Sequence, residues 1–145
     1  MCTSFKGEIL SGIHALGTTV VRGATTADTL KAALYFATAS LGAGTTAYAT
    51  TGEATGANYT AGGVTVTNAS APTTGGTTGY WTPSANFTWS NLTIATSFDA
   101  VLVYNSTQSD KAISVHTFTG QTIAAGTFTL TMPTSDATTA LIRIS

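Results

Sequence analysis

The chain has 145 residues, enough for one domain with its own hydrophobic core, and 43% of them are apolar or aromatic. Only 8% are charged, against about 25% in an average soluble domain, and the net charge is −1, so the sequence offers no basic patch for nucleic acid. The single cysteine, Cys2, excludes an internal disulfide or a cysteine-based metal site, and no apolar run has the length of a membrane span.

Residues 1–17 have the pattern of a short amphipathic helix. Ser4 can cap its start, Gly17 can end it, and apolar residues recur between them at near-helical spacing. Because Gly7 and Gly12 each lower helix propensity by about 1 kcal/mol, we expect this helix to form only when it docks on a partner surface. Deleting it should weaken assembly more than folding. Its apolar stripe is a predicted contact surface and comprises Phe5, Ile9, Ile13 and Leu16.

From Thr18 onward the pattern changes from helical to alternating, and Gly, Pro, Asn and Asp separate short runs that favour strands. The chain has 33 threonines, whose branched side chains suit strands better than helices. Nine strands are predicted, near residues 29–38, 45–50, 63–68, 79–81, 86–94, 100–105, 112–119, 127–132 and 140–144. We therefore expect an all-β fold, with residues 1–17 as an N-terminal helix or arm and residues 18–145 as one jelly-roll-like β-sandwich domain.

Residues 52–79 are rich in Gly, Thr and Ala, which predicts long surface loops. Loops of this kind often make functional contacts. Tyr59, Gly62 and Gly63 are therefore predicted to join the N-terminal stripe in the contact surface.

Two later runs predict the core. Residues 100–104 read Ala-Val-Leu-Val-Tyr and are apolar on both faces, as expected for a central strand that is covered on both sides. Phe128, Leu130 and Met132 alternate with threonine, so each should lie on a buried face. On this reading Leu130→Ala costs about 2 to 5 kcal/mol of stability.

Four aromatic residues allow two interpretations. As core residues they would pair on one face of a strand, and as an exposed set they would form a platform that stacks on sugars. We favour the core, and keep the carbohydrate-binding platform as an alternative. The set comprises Tyr80, Trp81, Phe87 and Trp89.

No pattern of residues predicts a catalytic or metal site. The only histidines are His14, expected on the helix surface or in an interface, and His116, expected in a strand; neither has an acidic residue at metal-ligand spacing. The six carboxylates are scattered, and no nucleophile elbow or phosphate-binding loop is present. We therefore predict a protein that is not an enzyme and needs no metal ion or cofactor.

Six segments carry a resemblance to a known family: Leu30-Lys-Ala-Ala-Leu-Tyr, Tyr59-Thr-Ala-Gly-Gly, Phe87-Thr-Trp, Ala100-Val-Leu-Val-Tyr-Asn-Ser, Phe128-Thr-Leu-Thr-Met-Pro-Thr and Leu141-Ile-Arg-Ile. Over residues 4–144 the chain resembles small virion structural proteins of tailed bacteriophages. The resemblance implies a virion component, and small sandwich proteins of similar size serve as capsid cement. It carries over no catalytic residue.

These observations predict a head cement or decoration protein that binds the major capsid protein or other virion proteins, and that associates with its own copies. A surface so poor in charge has little repulsion to oppose association. A tail or head-to-tail connector component is an alternative. The missing signal-peptide pattern predicts assembly in the host bacterial cytoplasm, without membrane or nucleic-acid partners.

Overall fold

The computed structural model is built from β-strands. It describes residues 27–145, together with residues 2, 9, 13, 14 and 16–18. Seven strands are present: β1 (Leu30–Phe36), β2 (Val64–Thr65), β3 (Thr73–Gly75), β4 (Thr78–Trp81), β5 (Phe87–Asn105), β6 (Lys111–Leu130) and β7 (Ile142–Ile144). They form two antiparallel sheets, a larger one in the order β2-β1-β5-β6 and a smaller one in the order β3-β4-β7. The predicted all-β class is confirmed.

The jelly-roll arrangement stays a prediction, and so does the N-terminal helix, because most of that segment lies outside the described residues. The prediction of nine strands is wrong in detail. Residues 45–50 form no strand, and only Ala47 makes an isolated bridge there, to Lys111. Residues 73–75, predicted as part of a loop, form β3. Four predicted strands merge into two: those near residues 86–94 and 100–105 lie in β5, and those near 112–119 and 127–132 lie largely in β6.

The hairpin of β5 and β6 is strongly bent. Its strands have 19 and 20 residues, and their pairing register shifts at five places. Two of these places hold a residue in the left-handed region, Asn91 with φ 56° and Ala125 with φ 55°. Each register shift adds extra residues to one strand, which bends that strand and increases its twist. The hairpin is therefore curled rather than flat.

The curl brings together aromatic rings that are far apart in sequence. Phe118 and Phe128 would lie about 33 Å apart on a straight strand, yet their ring centroids are 5.4 Å apart. Phe98 of β5 meets both rings edge-on, at 6.0 and 5.1 Å. Trp89 lies 5.7 Å from Phe128. We call these four residues the aromatic cluster, and it fills the concave side of the hairpin.

Residues 100–104 of β5 lie at the centre of the larger sheet, between β1 and β6. Val101, Leu102 and Val103 are fully buried, so the predicted central strand is confirmed. Leu130 is only partly buried against the core. We therefore expect Leu130→Ala to lower the free energy of unfolding by less than the range of about 2 to 5 kcal/mol predicted from the sequence, because that range applies to a fully buried side chain.

Candidate contact surfaces

The N-terminal stripe is only partly described; of its described members, Leu16 belongs to the core and Ile9 packs against it. Phe5 lies outside the described residues. Leu16 is buried, and its carbonyl oxygen accepts a hydrogen bond from Asn68 Nδ2 at 2.6 Å. Ile9 and Ile13 are partly buried, and Ile9 packs against the core. Deleting residues 1–17 would therefore weaken folding as well, and cannot isolate a role in assembly.

His14 lies inside a hydrogen-bond network rather than on an open surface. Its Nδ1 is 2.9 Å from Nδ2 of Asn105, a fully buried residue at the end of β5. The same Asn105 nitrogen donates to Asp28 Oδ2 at 2.8 Å, and the Asn105 Oδ1 accepts from the backbone N–H groups of Thr107 and Gln108. Asn105 thereby joins the tip of the hairpin to the chain segments that precede β1.

Two residues of the predicted loop contact surface, Tyr59 and Gly62, donate hydrogen bonds to a buried carboxylate. Glu53 is 4% exposed. Its Oε1 accepts hydrogen bonds from the Tyr59 hydroxyl at 2.9 Å and from the Gly62 N–H at 2.7 Å, and its Oε2 accepts from the Tyr48 hydroxyl at 2.6 Å. Gly63 lies so close to β1 that a Cβ there would be 1.9 Å from the Ala32 carbonyl oxygen. A role of Tyr59, Gly62 and Gly63 in contacts with another subunit stays a prediction.

Two further tyrosines complete what we call the glutamate–tyrosine cluster, which comprises Glu53, Tyr35, Tyr48, Tyr59 and Tyr104. The Tyr35 hydroxyl donates to the Ala49 carbonyl at 2.5 Å, and the Tyr104 hydroxyl donates to the Gly62 carbonyl at 2.8 Å. Burial raises the pKa of Tyr104 to about 12, and burial and the nearby Glu53 charge raise the pKa of Tyr59. The phenols therefore stay protonated and hold the loop of Glu53 against β1. A carboxylate that accepts from three donors anchors the loop around it.

Sequence patterns did not identify this cluster. The one available signal is that Glu53 is the only charged residue between Lys31 and Asp99. A single charge within so long a neutral stretch suggests a specific partner for that charge.

A groove of about 310 Å³ lies between the smaller sheet and the N-terminal segment. Its lining is mainly apolar and includes Leu16, Pro72, Tyr80, Trp81, Ile142 and Ile144. Ile144 is 40% exposed and is the only large apolar side chain that is exposed among the described residues. The remaining lining includes Thr and Gly residues. A groove of this composition suits an apolar side chain of a partner protein better than a charged ligand.

The outer half of the hairpin has no charge on its surface. We define the outer ribbon as residues 87–98 of β5 and 117–130 of β6; neither range contains Asp, Glu, Lys, Arg or His. Its exposed side chains are mainly Thr, Ser and Ala. Thr88 and Thr129 face each other across the two strands, with their Oγ1 atoms 3.5 Å apart. The outer ribbon is thus a large neutral surface made of short side chains.

Three of the four aromatic residues considered for a sugar platform belong to the core. Trp81, Phe87 and Trp89 are each at most 3% exposed, which confirms the core interpretation for them. Tyr80 is partly buried and lines the apolar groove. The described residues therefore present no pair of open aromatic faces from this set.

The described part of the chain contains no group of three or more His, Cys, Asp or Glu side chains that could hold a metal ion. It also contains no helix with the length and hydropathy that a membrane crossing requires.

The titration of His116 is expected to reduce stability on the acid side. His116 Nε2 lies 2.8 Å from Ser114 Oγ, and burial lowers the His116 pKa from 6.5 to about 4. As the pH falls, the unfolded chain binds this proton first, so the free energy of unfolding should decrease between about pH 6.5 and about pH 4. Urea midpoints at about pH 7 and about pH 5 should differ less in His116→Gln than in the parent protein. Equal differences would show that His116 does not contribute.

No protein-family model matches the chain, and no curated protein and no solved structure matches it either.

Proposed function

We propose that the protein is a non-enzymatic structural subunit of a larger assembly and that it acts through its contact surfaces. The observation that best supports this proposal is the outer ribbon, a neutral surface of short side chains on the long, curled hairpin. A neutral surface does not repel its neighbours. Threonine, serine and alanine also lose little side-chain entropy when a contact orders them.

The apolar groove supports the proposal independently. Interfaces between proteins have an apolar centre with a polar rim. The groove is lined by the apolar side chain of Ile144 and by Tyr80, together with the polar Thr73 and Thr74. We propose that this groove binds the partner subunit.

Within this class, the resemblance to virion proteins of tailed bacteriophages favours a head cement or decoration protein on the lattice of the major capsid protein. The virion would then be its final location, after assembly in the bacterial cytoplasm. A jelly-roll sandwich with a docked N-terminal helix is the finer fold that accompanies this proposal. A small β-protein with uncharged surfaces is suited to fill the gaps between larger subunits.

Binding to capsids tests the proposal. Purified protein should sediment with capsids that lack it, and its copy number in complete virions, by quantitative mass spectrometry, should approach that of the major capsid protein. A tail or connector component would bind far fewer copies. Absence from purified virions, together with no sedimentation with capsids, would contradict a cement role.

A matched pair of variants tests the groove. Ile144→Lys places a charge in the apolar groove, so we expect the affinity for capsids to fall about tenfold or more, since buried apolar anchors dominate interface energies. Ser145→Lys adds the same charge at the neighbouring exposed position and should leave the affinity nearly unchanged. Equal affinities of both variants and the parent would show that the groove is not the binding surface.

A further inference from the structure

We infer that an extended segment of the partner subunit lies along β7, and that its residues opposite Ile142–Ile144 are apolar, acidic and apolar in that order. This inference rests on the proposed function and deepens it, because it names the chemistry of the segment that the apolar groove accepts.

The two faces of β7 differ in character. Successive side chains of a strand point to opposite faces of its sheet. Ile142 and Ile144 both line the apolar groove. Arg143, which lies between them, lines a second recess of about 320 Å³ whose lining is mainly polar. A strand of three residues therefore separates an apolar site from a charged one.

β7 lies at the edge of the smaller sheet and is exposed. It is the last strand in the order β3-β4-β7, so only one of its sides pairs with β4. The side chains of Arg143 and Ile144 are both exposed. A segment that lies along the other side of β7 would therefore contact the groove and the polar recess at the same time.

Arg143 forms no ion pair with any described residue. Its Nη1 donates to the Thr138 carbonyl oxygen, which is neutral and engages only part of the five guanidinium N–H donors. The nearest acidic residue along the chain, Asp136, instead accepts from the N–H and hydroxyl groups of Thr138 and Thr139 at 2.6 to 2.8 Å. Arg143 is also the only charged side chain that lines the recess. Its remaining donors suit a carboxylate, which a guanidinium binds through two parallel N–H···O bonds.

The geometry of strand pairing gives the order of residues in the bound segment. Residues directly opposite each other on paired strands lie on the same face. The residue opposite Arg143 would therefore meet the guanidinium, and its two neighbours would face the groove beside Ile142 and Ile144. In this mode of recognition, main-chain hydrogen bonds hold a peptide at a sheet edge and alternate side chains select its sequence.

The sequence of this chain favours a different protein as the occupant over a second copy. Asp99, between Phe98 and Ala100, is the only acidic residue of the chain that has an apolar side chain on both sides. It lies inside β5, where Phe98 and Ala100 pair with β1 on one side and with β6 on the other. A folded second copy therefore cannot present this triplet to β7.

Three capped peptides without terminal charges test the inference in an NMR titration of the full chain. They are Thr-Ile-Glu-Ile-Thr, the charge-reversed Thr-Ile-Lys-Ile-Thr, and Thr-Glu-Ile-Ile-Thr, which keeps the composition of the first and loses its alternation. The first peptide should bind weakly and shift the amide signals of Arg143 and Ile144. The other two should bind about threefold less tightly or worse, since exposed ion pairs contribute modestly.

Charge reversal in the protein separates recognition from folding. Arg143→Glu should reverse the order of the first two peptides, so that the lysine peptide binds more tightly than the glutamate peptide. Partial unfolding would weaken both peptides and cannot produce this reversal. The matched control, Thr119→Glu, places a negative charge on an exposed position of the outer ribbon and should leave the order unchanged.

Failure of Thr-Ile-Glu-Ile-Thr to bind at millimolar concentration would overturn the inference. So would equal binding of the three peptides, or an unchanged order in Arg143→Glu. Capsid sedimentation distinguishes this failure from failure of the proposed function. If Ile144→Lys weakens capsid binding and Arg143→Glu does not, the groove binds the partner and the acidic position is wrong. If the peptides bind in the expected order and the protein does not sediment with capsids, the proposed function alone is contradicted.

Discussion

Phe98→Ala should lower the free energy of unfolding by about 3 to 5 kcal/mol, the usual cost of emptying a buried aromatic site. Phe98 is fully buried, and its ring meets Phe118 and Phe128 edge-on. Those two rings come together only because β6 curls back on itself. Removing the ring between them therefore removes contacts that hold the curl as well as contacts that fill the core.

Chemical denaturation at neutral pH measures this loss, and Phe118→Ala is the matched control. Phe118 belongs to the same cluster but is only partly buried, so its truncation should cost clearly less. The denaturant slope should stay unchanged for both variants if the unfolded states are alike. A cost below about 1 kcal/mol for Phe98→Ala would show that the curl does not depend on this ring.

Glu53→Ala should destabilise the protein by about 3 kcal/mol or more, the second large effect we expect. The change leaves the hydroxyls of Tyr48 and Tyr59 and the N–H of Gly62 without their acceptor. Each buried donor that loses its partner costs about 1 to 3 kcal/mol. Glu53→Gln keeps one acceptor oxygen and the shape of the side chain, so it should cost less than Glu53→Ala.

The tyrosines report on the same cluster at alkaline pH. The pKa values of Tyr35, Tyr48, Tyr59 and Tyr104 are raised, mainly by burial and in part by Glu53. A raised pKa in the folded state contributes stability below about pH 10, and this contribution is lost as the pH rises toward the folded-state value, about 12 for Tyr104. We expect stability to fall above about pH 10, with phenolate absorbance appearing as the protein unfolds.

Glu53→Gln removes the negative charge beside these phenols. The Tyr48 and Tyr59 hydroxyls should therefore ionise at lower pH in this variant than in the parent protein. An unchanged phenolate titration in Glu53→Gln, or equal stability of Glu53→Ala and the parent, would contradict the role assigned to Glu53.

The alternation of apolar residues predicted where the strands lie. The Gly, Asn and Asp residues taken as separators between strands gave wrong positions for several strand ends. The central segment 100–104 was predicted correctly because burial on both faces leaves a continuous apolar run. Asp99 and Gly126 lie between predicted strands, and they instead accompany bulges inside β5 and β6. Bulges and turns both favour residues that adopt positive φ, so composition alone does not separate them. Only the partner strand decides whether the chain turns or continues.

The contact surfaces were less predictable than the fold. The outer ribbon contains no charged residue, and the sequence alone already shows this. The place of β6 at the edge of the larger sheet depends on strand order. The glutamate–tyrosine cluster brings Tyr35 of β1 and Tyr104 of β5 beside the loop of Glu53. Such groupings follow from topology, which local patterns do not specify.

The pairing of β1 with β5 sets the order of events during synthesis. Leu30 pairs with Asn105 and Phe36 with Phe98, so β1 leaves the ribosome some 60 to 75 residues before its main partner. At about 5 to 20 residues per second, that interval lasts several seconds. Over this time the nascent chain carries β1 and the neutral stretch that follows Glu53 with no central strand to receive them. A chaperone that shields the emerging segment during this interval would therefore be expected to raise the yield of folded protein.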